Sequence, residues 1–227
     1  MLRAALGWQA DFPEGQRGMH ADELSQAVIL GNASEVVLGV ERALENGIHP
    51  AQILDQHLIP AMREVGERFQ RGEFYVPEML IAARAMQAGM EKLRPFLAMS
   101  GVRPMVRVAL GTVQGDLHDI GKNLVGMMLE GAGFEIIDLG VDVSPAQFVQ
   151  AVEQGADVVA MSALLTTTMH QMRGAVDALV ESGLRDGIKV IVGGAPLTRE
   201  FAESIGADGY GEDAAVAPTL LRAMMGL

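Results

Sequence analysis

The stretch MVRVALGTVQGDLHDIGKN, Met105–Asn123, is where the chain changes period. Upstream, apolar residues recur at helical spacing. Here a short run of strand formers, MVRVALGT, gives way to a polar loop, GDLHDIG, and then to the start of an amphipathic helix. The same unit recurs downstream: FEIIDLG, ADVVAMSA, KVIVGGA and the short ADGYG read as four further strands alternating with helices. Five βα units predict a doubly wound parallel sheet in the flavodoxin-like (Rossmann-like) order, which binds ligands at the carboxyl ends of its strands. The unusual residues are expected there: GDLHDIG after strand one, DLGVDVSP after strand two, SALLTTT after three, GGAP after four and GED after five.

Residues 20–100 predict four helices, over 20–32, 34–46, 50–70 and 77–98. In the third, Leu54, Leu58, Ala61, Met62, Val65 and Phe69 form one apolar stripe; Met79, Ala83, Met86, Met90, Leu93 and Leu97 repeat it in the fourth. Pro50 and Pro77 fall in first turns, and Gly47 and Gly72 where helices stop. Short connections favour antiparallel neighbours, hence a four-helix bundle. LAMSGVRP reads as a linker, with a boundary near residue 101 that leaves 101–227 to the sheet domain. Residues 1–19 form an extension with no interpretable pattern.

Composition narrows the chemistry. No cysteine occurs among 227 residues, which removes disulfides, thiolate zinc sites, iron–sulfur ligation and cysteine nucleophiles. The net charge of −12 disfavours nucleic-acid binding through phosphate neutralisation. No apolar run is long enough for a membrane span and no secretory leader is evident, so the expected compartment is the cytoplasm.

His118 reads either as a solvated loop residue or as a metal ligand. Asp116, two residues away, is near enough to accept a proton from one ring nitrogen, which would leave the other free as a donor. His20, His49, His57 and His170 belong to other elements and no HExxH occurs, so a zinc site built by the protein would lack ligands. A cofactor that brings its own metal would need only one axial imidazole. Ser162, Thr166, Thr167 and Thr168 supply hydroxyls that either cap a helix or line a slot. Gly193 and Gly194 either make a turn or admit a close ligand. The chain contains neither GxGxxG nor GxxxxGK[ST], and a phosphate-receiver domain on this fold would call for an aspartate where strand three ends in Ser162.

Taken together, Asp-x-His-x-x-Gly (Asp116, His118, Gly121), Ser-x-Leu (Ser162, Leu164) and Gly-Gly (Gly193, Gly194) resemble the signature of the cobalamin-binding fold. EVGERFQRGEFYVPEMLIAARAM resembles the helical cap that precedes this domain in cobalamin-dependent methionine synthase and in the small corrinoid proteins of methyltransferase systems. The resemblance covers roughly residues 20–225.

By position, the resemblance implies that His118 is the lower axial ligand to cobalt, in the base-off, His-on state, with Asp116 hydrogen-bonded to it and Thr168 completing a relay. It further implies that Ser162, Leu164 and Thr166 line the slot for the displaced nucleotide tail. Gly193, Gly194 and Ala214 would let that tail approach closely, Gly115 and Asp119 would pack against the corrin edge or tail, and Phe69 and Val76 would cover the upper corrin face.

The implied function is a methyl carrier cycling between Co(I) and methyl-Co(III), a subunit of a methyltransferase system rather than a complete enzyme alone. Its implied partners are a substrate-specific methyltransferase, an acceptor methyltransferase and a reductive activator. Rival readings are a cobalamin-dependent sensor or regulator, which would need a DNA-binding module, and the cobalamin-binding subunit of an adenosylcobalamin mutase, which usually lacks the helical cap.

Overall fold

The computed structural model describes residues 23–99 and 106–227; the extension 1–19 and most of the linker LAMSGVRP lie outside the described residues. The chain divides into two compact units, Met1–Arg103 and Pro104–Leu227.

The described part of the first unit is helical: α1 over 23–29, α2 Ala33–Glu45, α3 Pro50–Ile53, a π-helical turn Leu54–Leu58, α4 Ile59–Gln70 and α5 Val76–Met99. The helix expected over 50–70 is thus one continuous run with a widened turn in its middle. Pro60 accounts for the widening, because it lacks the N–H of the regular ladder and its ring crowds the preceding turn. Asn32 caps α2 by accepting the Glu35 N–H at 3.3 Å. Both predicted stripes face inward: every residue named in them is buried except Phe69, which is half-buried. Helices α2 and α5 meet closely at Gly89, where a Cβ would stand 2.7 Å from Val36 Cγ1.

The second unit alternates strand and helix: β1 Arg107–Val113, α6 Ile120–Gly131, β2 Glu135–Val143, α7 Pro145–Glu153, β3 Val158–Ser162, α8 Gln171–Glu181, β4 Lys189–Gly193, α9 Arg199–Ser204, β5 Gly209–Gly211 and α10 Val216–Met225. The five strands lie parallel in the order β2-β1-β3-β4-β5, the flavodoxin-like order.

Alternation along each strand feeds two cores. Val159, Met161, Val190 and Val192 pack with Phe148, Met172 and Leu179 of α7 and α8. Val158, Ala160 and Ile191 pack with Leu129 and Leu221 of α6 and α10. Gly111 makes room for this packing, since a Cβ there would meet Val143 Cγ2 at 2.9 Å and Phe148 Cζ at 3.1 Å.

One expectation needs correcting. FEIIDLG predicts a strand ending at Gly140, with the rest of DLGVDVSP after it; Val141–Val143 instead continue β2, an edge strand whose register against β1 shifts twice. Gly140 (φ +83°) and Asp142 (φ +55°) supply the left-handed backbone that accommodates the extra residues. Their Asp and Gly content imitates a loop signal because a bulged edge strand uses the same residues as a turn.

Candidate functional site

The loop between β1 and α6 is held from several sides. Thr112, fully buried at the end of β1, donates its hydroxyl to the His118 carbonyl at 2.9 Å. Gly115 adopts φ +81°, which turns the chain so that Asp116 enters the protein. Asp116 is fully buried. Its Oδ1 accepts the His118 N–H at 3.1 Å and faces His118 Nδ1 at 2.7 Å. Its Oδ2 accepts the Thr168 hydroxyl at 2.7 Å and the N–H groups of Leu164 at 2.8 Å and Leu165 at 3.3 Å. Burial opposes its ionisation. The hydrogen bonds from Thr168, Leu164 and His118 overcome that opposition and hold the carboxyl well below the usual carboxylate range.

Asp116 therefore stays an anion at neutral pH, and a carboxylate can only accept. This fixes the neutral His118 as the Nδ1–H tautomer, with Nε2 carrying the free lone pair. The His118 side chain is 50% exposed. Leu117, at 72%, and Ile120, at 83%, flank it in sequence, and Leu164 and Leu165 stand exposed after β3. A basic ring nitrogen on a half-exposed imidazole, with exposed apolar side chains in the loops that hold it, suits a large, partly apolar ligand carrying its own metal. Among the described residues, no group of three or more His, Asp or Glu side chains could hold a metal ion without such help. The residues present fit a corrinoid.

Other candidates occupy the same carboxyl ends of the strands. Ser162 ends β3 and pairs in register with Thr112 of β1 and Gly193 of β4. A Cβ on Gly193 would stand 3.0 Å from the Gly211 carbonyl, and Gly194 (φ +136°) lies so tightly on Ala163 that a Cβ would fall 1.9 Å from its carbonyl oxygen. The pair thus allows close backbone packing at the carboxyl end of inner strand β4. Thr166 is exposed and Ala214, between β5 and α10, half-buried. Gly121 opens onto free space. Asp119 precedes α6 and accepts from Asn123 Nδ2 at 3.2 Å.

Thr168 is not a helix cap: His170 occupies the N-cap position of α8. The Leu165 carbonyl at 3.1 Å competes for the Thr168 proton, but the charged acceptor, nearer at 2.7 Å, is the stronger one. Phe69, half-buried on α4, and Val76, exposed at the start of α5, belong to the helical unit, beside the exposed Tyr75, which sequence reasoning passed over.

Sequence reasoning also missed three charged residues. Lys122, 2% exposed, places Nζ 2.7 Å and 2.8 Å from the Asp138 carboxylate oxygens and 2.7 Å from Asn123 Oδ1. Asp142 accepts the Gly115 N–H at 2.7 Å and donates its own N–H to the Asp116 carbonyl at 3.0 Å. Lysine is ordinarily a surface residue, so nothing in the spacing marks this one as buried.

Known proteins resemble this chain over most of its length. A family model described as "B12 binding domain" matches residues 106–219, and a second of the same description matches 20–94. Dimethylamine corrinoid protein 1 of Methanosarcina acetivorans is 43% identical over 197 residues, covering 86% of this chain and 92% of that protein. Among solved structures, a cobalamin-binding protein from Desulfitobacterium hafniense superposes with TM-score 0.74 at 34% identity, over 88% of this chain and 96% of that one. The methanol:cobalamin methyltransferase complex of Methanosarcina barkeri superposes with TM-score 0.79 at 30% identity, over 95% and 81%. The sheet order, the loop that binds Asp116 to His118 and these matches over most of the chain lead to one assignment: the chain belongs to the family of B12-binding corrinoid proteins.

Proposed function

We propose that this chain is the methyl-carrying corrinoid subunit of a cytoplasmic methyltransferase system, with His118 Nε2 as the axial ligand to cobalt in a corrinoid bound base-off. When bound, the corrinoid supplies a cobalt able to accept a methyl group from one partner and yield it to another. The observation that carries the reading is the 2.7 Å contact between His118 Nδ1 and buried Asp116, on a ring that stays half exposed.

The chain's residues have separable tasks. Asp116 orients the imidazole and raises the donor power of Nε2; the Thr168 hydroxyl stabilises the carboxylate, and a proton entering at Asp116 would weaken the donor. Ser162, Leu164, Thr166, Gly193, Gly194 and Ala214 would border the nucleotide tail, with Gly115, Asp119 and Gly121 against the corrin edge. Residues 20–100 would act as a cap, Phe69 and Val76 meeting the upper corrin face, and would yield to a partner. The relatives' names span a dimethylamine and a methanol system, which supports a carrier whose donor is chosen by its partner methyltransferase. A second methyltransferase would receive the methyl group, and a reductive activator would rescue oxidised cobalt.

The test is to incubate the full chain with hydroxocobalamin, reduce it to Co(II) and record its paramagnetic resonance. Retained, base-off corrinoid with coupling to a single nitrogen is expected, and His118→Ala should abolish that coupling. No retained corrinoid, or unchanged coupling in the variant, would overturn the proposal.

A further inference from the structure

If His118 is the metal ligand, the loop that carries it must hold a fixed angle, and the structure shows what fixes each end. Beyond the loop, the start of α6 is pinned to edge strand β2 by buried Lys122, which takes both oxygens of Asp138 at 2.7 Å and 2.8 Å. At the leading end the same strand reaches the loop through Asp142. Its carboxylate accepts the Gly115 N–H at 2.7 Å, and its backbone N–H donates to the Asp116 carbonyl at 3.0 Å. Asp142 thus bonds the residue before Asp116 and Asp116 itself.

Asp142 does this from a conformation that disfavours side chains. Among the described residues it is the one non-glycine with positive φ, +55°. Aspartate tolerates the left-handed region better than most residues, but glycine would occupy it without strain. The second register shift of β2 against β1 falls between the pairs Gly111–Gly140 and Val113–Val143, so Asp142 sits within the bulge. Bulges of this kind re-aim a side chain next to a site. The physical return for an aspartate at a glycine-type position is its bond to Gly115.

We infer that Asp142 is a positioning residue, which holds Gly115 and Asp116 from the bulge of β2 and so sets the direction in which Asp116 presents the His118 ring. The inference rests on the reading of His118 as ligand. It adds that the geometry of the Asp116–His118 pair is set by a residue outside the loop.

Two variants separate side chain from backbone. Asp142→Gly keeps the left-handed conformation and removes the acceptor; Asp142→Asn keeps both the conformation and an acceptor oxygen. In the full chain without corrinoid, imidazole nitrogen and proton resonances of His118 report its Nδ1–H bond. That signal should persist in D142N and exchange-broaden in D142G, with the D142G melting temperature little changed. After loading with hydroxocobalamin, D142G should bind about tenfold more weakly, the scale on which a metal ligand's supporting partners act, while D142N stays near wild type.

A D142G protein that retains both the Nδ1–H signal and wild-type affinity overturns the inference. Should D142G not fold, amide exchange at Gly115 in the wild-type chain decides: protection is expected, and exchange at the rate of an open peptide overturns it. If wild-type protein takes up no corrinoid, the His118 reading fails, whereas the resonance and exchange measurements still decide whether Asp142 holds the loop.

Discussion

At the scale of the residue, Asp116 concentrates the donors of two loops that lie far apart in sequence. Asp116→Ala would take the acceptor from the Leu164 and His118 N–H groups and leave the Thr168 hydroxyl only the Leu165 carbonyl at 3.1 Å. With each hydrogen bond to the carboxylate worth about 1.5–3 kcal/mol and the losses not additive, a destabilisation of about 3 kcal/mol is expected in urea denaturation. The pH dependence has a definite sign. The folded carboxyl is held below its unfolded value, so its contribution is complete above about pH 4 and is lost as pH falls through the folded value. The stability gap between wild type and D116A should be flat from neutrality down to about pH 5 and close in stronger acid. Gly121 offers a contrast. A methyl there meets nothing within 4 Å and sits in a helix, so Gly121→Ala should raise stability by about 0.5 kcal/mol. If the corrin edge passes over this position, the same variant should lower hydroxocobalamin affinity, a divergence readable by melting and by titration.

At the scale of the element, the tie between α6 and β2 is asymmetric. Lys122 is 2% exposed while the Asp138 side chain is 53% exposed. Asp138→Ala would strand a buried ammonium, and a loss of about 3 kcal/mol is expected; Lys122→Met leaves a carboxylate that water can solvate, with a loss of about 1 kcal/mol. Equal losses in the two denaturation curves would show that the lysine escapes to solvent.

This tie also shows what was legible beforehand. Apolar runs such as VVAMS and KVIVG announced buried parallel strands, and the GDLHDIG and SALLTTT loops were found because strand ends are where such folds keep polar residues. The π-helical turn at Leu54–Leu58 and the bulges of β2 were not legible: each depends on what the backbone does next to its neighbours rather than on apolar period. Thr168 read equally well as a cap, because its partner lies 52 positions away in sequence.

At the scale of the whole molecule, each unit carries its own buried core, so the units should be separable. A fragment from Pro104 to Leu227 is expected to melt cooperatively in calorimetry and to co-elute with hydroxocobalamin, because the Asp116–His118 loop and its supports all belong to it. Aggregation of the fragment, or its failure to retain corrinoid, would show that the helical unit is needed to form the site.

The edge strand has one more consequence. A sheet edge offers unpaired N–H and C=O groups to any passing extended chain. At one edge β5 is only three residues long, too brief to template much. At the other, β2 is long, but it is twice bulged and carries exposed Asp138 and Asp142, so an incoming strand meets broken register and negative charge. Asp142, which bonds the histidine loop, and Asp138, which holds Lys122, therefore also make β2 a poor template for the strand of another chain.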